Sequence, residues 1–168
     1  MANDDSTVGN KLAGMFFENW NEKSAISKLK TQHSIKSPEH SVFMSLFWLF
    51  YLAYTRAAMS SPDKISSQQF QNIADHLTTN VITKFKDIFD SSEDSADLLA
   101  LYGGIAEGLF GCYNTNLNSS PSVHWHIGKE MCVILNGPGA EQDPSLITYF
   151  ADMLHNDSVR IKEYFNNM

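Results

Sequence analysis

A chain of 168 residues is long enough to close one hydrophobic core of its own. With 43% hydrophobic and 12% aromatic residues against 18% charged, it carries the apolar area that a disordered chain lacks. A net charge of −7 disfavours binding to a phosphate backbone, and the two cysteines, Cys112 and Cys132, are too few for a disulfide framework. No charged and then apolar leader opens the sequence, so the expectation is a cytoplasmic, reducing setting without a nucleic-acid partner.

Residues 1–7 are polar and read as a frayed start to a single helical domain over 8–168. Val8, Leu12, Met15, Phe16 and Trp20 then recur at steps of three and four, which predicts a helix running to about Lys30. Ser37-Pro38-Glu39 has the chemistry of a helix start: a cap, a proline with preset backbone angle, and an acid at the positive end of the dipole. The helix that follows, over 38–59, is apolar on nearly every side, with the aromatics Phe43, Phe47, Trp48, Phe50, Tyr51 and Tyr54. Its uncharged run, Ser41 to Thr55, extends only about 22 Å at about 1.5 Å per residue, short of the roughly 20 apolar residues of a bilayer span. It therefore reads as the central core helix; the same surface would also suit a homodimer core.

Ser66 with Gln69 three residues on is a capping-box pair, and Phe70, Ile73, Ala74, Leu77, Val81, Phe85, Ile88 and Phe89 form one apolar stripe behind it. After Asp90-Ser91-Ser92-Glu93-Asp94 a glycine-rich helix is expected from Ser95, weakened by Gly103, Gly104, Gly108 and Gly111. Val123 to Leu135 favours a helix, although Val123, Trp125 and Ile127 alternate with His124 and His126 at strand period, so a hairpin stays open. Asp143-Pro144 opens another helix, and Asn156-Asp157-Ser158 reads as the start of a short last one. The fold class is thus all-α, a single-domain bundle of six or seven helices around the aromatic helix 38–59.

Charge is uneven along the chain. Residues 1–86 carry seven acids against nine bases, whereas residues 87–157 carry eleven acids against Lys129 alone, a balance of −10. Asp87, Asp90, Glu93, Asp94 and Asp97 are the densest part of that stretch and are candidates for meeting a basic protein partner. The first functional expectation is accordingly a non-catalytic protein-binding module of inhibitor, immunity or adaptor type.

A second expectation rests on small residues at a four-residue step, Ala96, Ala100, Gly104, Gly108 and Cys112. They permit close packing against the aromatic helix, or leave an apolar slot there for a ligand lined by Phe47, Trp48, Tyr51, Gly104 and Gly108. Gly104→Leu would then block the slot and strain the interface.

Other chemistry is weakly marked. His124, His126, Glu130 and Cys132 are dense in metal-capable groups, yet neither a helix nor a strand brings three of them together, so no metal or other cofactor is expected. Asp90-x-Ser92-x-Asp94 resembles the start of a calcium loop but has Ser95 where the turning glycine belongs and Leu101 where the bidentate glutamate belongs. No nucleophile elbow, phosphate loop or helical His-Glu-x-x-His pair occurs. An enzyme would have to rest on Cys112 or Cys132 paired with a distant histidine.

Overall fold

A computed structural model describes residues 4–168 and is all-helical, with no strand among the described residues. Eight α-helices follow in order: α1 (Asp5–Trp20), α2 (Lys23–His33), α3 (Glu39–Met59), α4 (Ser67–Phe89), α5 (Ser95–Leu101), α6 (Gly103–Thr115), α7 (Val123–Asn136) and α8 (Pro144–Asn166). A 3-10 turn at Ala140–Gln142 precedes α8. The expected frayed start lies outside the described residues over 1–3, while Asp5 to Thr7 already belong to α1.

The central position of the aromatic helix is confirmed. α3 packs against α1, α2, α4, α6, α7 and α8, so its apolar circumference has a partner on every side. By length and composition alone its 21 residues would cross a membrane, which corrects the argument from length. What accounts for its apolar character is burial inside this one chain, which covers 72% of its most apolar window.

Aromatic rings knit the layers together. The Phe16 ring of α1 meets Phe43, Phe50 and Phe47 of α3 at 5.4, 5.6 and 6.0 Å, and Phe43 reaches Phe85 of α4 at 5.8 Å. Tyr54 stacks on Phe70 at 4.7 Å and donates its hydroxyl to the Phe70 carbonyl at 2.7 Å, so that this buried polar atom is satisfied.

Three helix boundaries differ from the sequence reading, each for a packing reason. The helix expected over 8–30 breaks at Asn21-Glu22, between α1 and α2. The break lets Ile26 and Leu29 turn into the core. The glycine-rich helix divides at Tyr102, which closes α5 and precedes Gly103-Gly104 of α6. Two adjacent glycines make a continuous helix weak there, and Tyr102 instead packs its ring against Phe85 at 5.9 Å and His40 at 6.2 Å. Conversely, Asn156-Asp157-Ser158 starts nothing: α8 runs through it, and the Ser158 hydroxyl bonds back to the Leu154 carbonyl at 2.6 Å. The stripe Phe150, Leu154, Ile161, Phe165 holds that helix straight against the core, overriding a local preference for capping.

The open alternative over 123–135 resolves as helix α7. Eight helices replace the six or seven expected because α1–α2 and α5–α6 are broken pairs while the two last expected helices are the single α8.

Candidate functional site

An apolar groove lies where the α5–α6 corner passes over α3 and α4, with a volume of about 490 Å³. α3 contributes Trp48 and Tyr51, α4 contributes Asp75, Thr78, Thr79 and Ile82, and the far wall is Ser95, Leu99, Gly103 and Ala106. The break at Tyr102 creates it, since α5 and α6 are held at an angle and their small residues at the corner leave the space unfilled. A β-carbon added at Gly103 would meet nothing within 4 Å.

The floor is aromatic. Trp48 and Tyr51 meet edge to face at 5.4 Å, and Phe110 of α6 abuts Tyr51 at 6.1 Å. The indole N–H of Trp48 is buried with no acceptor, a penalty of about 1–3 kcal/mol for an unsatisfied donor. Burial, and then the Asp75 carboxylate, push the Tyr51 phenol above its ordinary range, so it stays a protonated donor at neutral pH. Asp75 itself accepts from Gln71 at 3.0 Å and remains exposed at the rim.

Of the residues expected to line a slot, the structure brings Trp48 and Tyr51 together and leaves the others elsewhere. Phe47 is fully buried behind Trp48 in the core. Gly104 is exposed with open space around it, and Gly108 faces Glu130 and Ile134 of α7. The small-residue ridge therefore does not meet the aromatic helix: Ala96, Ala100 and Gly104 face solvent, and only its C-terminal part packs, against α7. Leu99, Gly103 and Ala106, one face around, are the residues that matter for the groove. Sequence reasoning passed over them because it followed a continuous helix through Tyr102.

Asp87, Asp90, Glu93, Asp94 and Asp97 are all exposed and gather at the α4–α5 corner. Two have local tasks. Asp90 closes α4 in a left-handed conformation (φ 50°), and the Asp94 carboxylate caps α5 by accepting from the Ala96 N–H at 2.8 Å. The remaining acids of the 87–157 stretch are dispersed: Asp143 caps α8, Glu141 accepts from the Gly139 N–H, and Asp157 sits in a cleft between α1 and α8.

Among the described residues no three His, Cys, Asp or Glu side chains converge to hold a metal ion. His124 pairs with His155 at 5.3 Å between ring centres, and its Nε2 is buried without a partner. Both thiols are held in the protonated form. Burial, and then the nearby Glu130, push Cys112 up, while burial with Asp143 and Glu141 pushes Cys132 up to about 11. That is the reverse of what a nucleophilic cysteine requires, and Cys112 donates to the His126 carbonyl instead of an imidazole. Neither a protein-family model, nor a curated protein, nor a solved structure matches the chain.

Proposed function

We propose that this protein is a binding module whose groove between α3, α4 and the α5–α6 corner takes an apolar, ring-bearing small molecule. The observation that carries the reading is the aromatic floor of Trp48 and Tyr51 facing the Leu99, Gly103 and Ala106 wall in a groove of about 490 Å³, within the usual range for small-molecule sites. A flat ring would stack on one of Trp48 and Tyr51 and meet the other edge-on. The Tyr51 hydroxyl and Asp75 at the rim would fix its orientation.

The test is a titration with the neutral, ring-bearing dye Nile red, read by dye emission and Trp fluorescence. Gly103→Leu fills the groove without touching the core, and Gly104→Leu, one residue on, points into solvent. Saturable binding lost in Gly103→Leu and kept in Gly104→Leu supports the reading; binding that survives Gly103→Leu overturns it.

A protein-docking surface at the α4–α5 corner is the second reading, favoured by Leu101, which is 65% exposed beside Asp90 and Glu93 on the rim of one shallow cleft. An apolar side chain flanked by two carboxylates, with Lys23 and His40 on the same cleft, suits a partner surface with an apolar centre and basic groups at its edge. Reversing the charge of Asp90, Glu93 and Asp94 should then abolish the binding of such a partner, and binding indifferent to salt would sink this alternative.

A further inference from the structure

A second, chemically opposite pocket of about 170 Å³ lies between the C-terminal end of α3 and the middle of α8. Arg56 enters it from α3, and His155 and Lys162 from α8. No carboxylate lines it, in a chain whose net charge is −7.

Arg56 is one of only two arginines in the sequence, and the two are treated differently. Arg160 pairs with Glu18 at 2.9 Å and donates to the Met15 carbonyl at 2.9 Å. Both bury Nε without an acceptor among the described residues, but the half-buried Arg56 also has no carboxylate within ion-pair distance among them. Its guanidinium lies 5.4 Å over the Tyr113 ring, which fixes the plane of the fork but supplies no acceptor oxygen. Arg56 lies in the last turn of α3, where the helix dipole favours a cation. That dipole is only a partial charge, and a half-buried guanidinium removed from water stays costly until a full counter-charge pairs it.

The surroundings are already electropositive. Burial, and then Arg56 and His155, hold the His124 imidazole down at about 4, so it is neutral at physiological pH. The hydroxyls of Ser60 and Ser158 donate to the Arg56 and Leu154 carbonyls, leaving the cationic groups as the donors that face the pocket.

From this geometry we infer that the pocket binds a phosphoryl group, with Arg56 as the planar two-donor fork, Lys162 as a point charge and His155 as a third donor. Two permanent cations match the charge of a phosphate dianion, and donors from two helices suit a tetrahedral group better than a flat carboxylate. The site shares no residue with the aromatic groove and stands independently of it.

Inorganic phosphate and phenyl phosphate, each titrated at low ionic strength and pH 7 against the full chain, test the inference through the His155 and His124 imidazole NMR signals and calorimetry. Saturable shifts at both rings are expected, with affinity falling by about ten-fold in Lys162→Gln and in Arg56→Gln, the loss of one charge-assisted contact each. Lys162 is exposed, so its variant stays interpretable if Arg56→Gln disturbs the packing on Tyr113. Lys28→Gln, a lysine outside the pocket, should leave affinity unchanged. Tighter binding of phenyl phosphate assigns the site to a phosphate monoester, and equal binding assigns it to the free ion. Shifts that do not saturate, or that weaken equally in Lys28→Gln, overturn the inference.

Discussion

The backbone of Gly128 in α7 lies so close to α8 that a β-carbon at that position would sit 2.3 Å from the Ile147 carbonyl oxygen. Nothing flexible stands in the way; the obstacle is the backbone of the neighbouring helix. Gly128→Ala should therefore force α7 and α8 apart and destabilise the protein by about 2–4 kcal/mol, measured by urea denaturation. Gly14 in α1 is the counterpart, exposed and with nothing within 4 Å of an added β-carbon. Gly14→Ala should stabilise by about 0.5–1 kcal/mol through helix propensity alone.

Asp157 and His124 should oppose each other in the pH dependence of stability. Burial, partly offset by Arg160, pushes the Asp157 carboxyl up to about 6 from 3.8, so its contribution favours the fold at low pH and is lost as pH rises from about 4 to about 6. Burial together with Arg56 and His155 pushes His124 from 6.5 down to about 4, so its contribution is present above about 6.5 and lost as pH falls towards 4. Asp157→Asn should leave stability rising with pH across this window, gaining on the order of 2 kcal/mol over the parent at pH 7. His124→Gln should leave it falling. Denaturation midpoints at half-unit pH steps measure both slopes.

The capping box at the start of α4 is complete, with the Ser66 hydroxyl accepting from the Gln69 N–H at 3.2 Å and the Ser66 N–H donating to the Gln69 side chain at 3.1 Å. Ser66→Ala should cost about 1 kcal/mol, and amide exchange should quicken first in the opening turn of α4.

Cys132 is fully buried and its thiol is raised to about 11, whereas Cys112 is partly exposed. Iodoacetamide at pH 8 should modify Cys112 slowly and Cys132 only on unfolding, which peptide mass spectrometry after timed quenching resolves. Modification of Cys132 ahead of Cys112 would contradict this burial.

Much of the architecture was legible in the sequence because periodicity is a local property. The α4 stripe, its capping box, the Asp143-Pro144 start of α8 and the all-round apolar α3 each follow from residues a turn or two apart. Boundaries were less legible where tertiary packing outweighed local preference, as in α8 running through Asn156-Asp157-Ser158, or Tyr102 leaving the helical path to reach Phe85. The glycines show the same division. Their spacing over 103–111 drew attention to that helix, yet the tight approaches belong to Gly128 and to Gly9, whose added β-carbon would lie 2.5 Å from that of His76.

Composition and pattern by themselves determined an all-helical domain wrapped around residues 38–59, since a helix apolar on every face must be surrounded. Only the tertiary structure decided that the acids after Asp97 disperse into caps and clefts, that Leu99, Gly103 and Ala106 wall the aromatic groove, and that Arg56 is left without a counter-charge among the described residues beside His155 and Lys162. Those are relations between side chains far apart along the chain. They are set by how broken helices dock, which no repeat of three or four residues encodes.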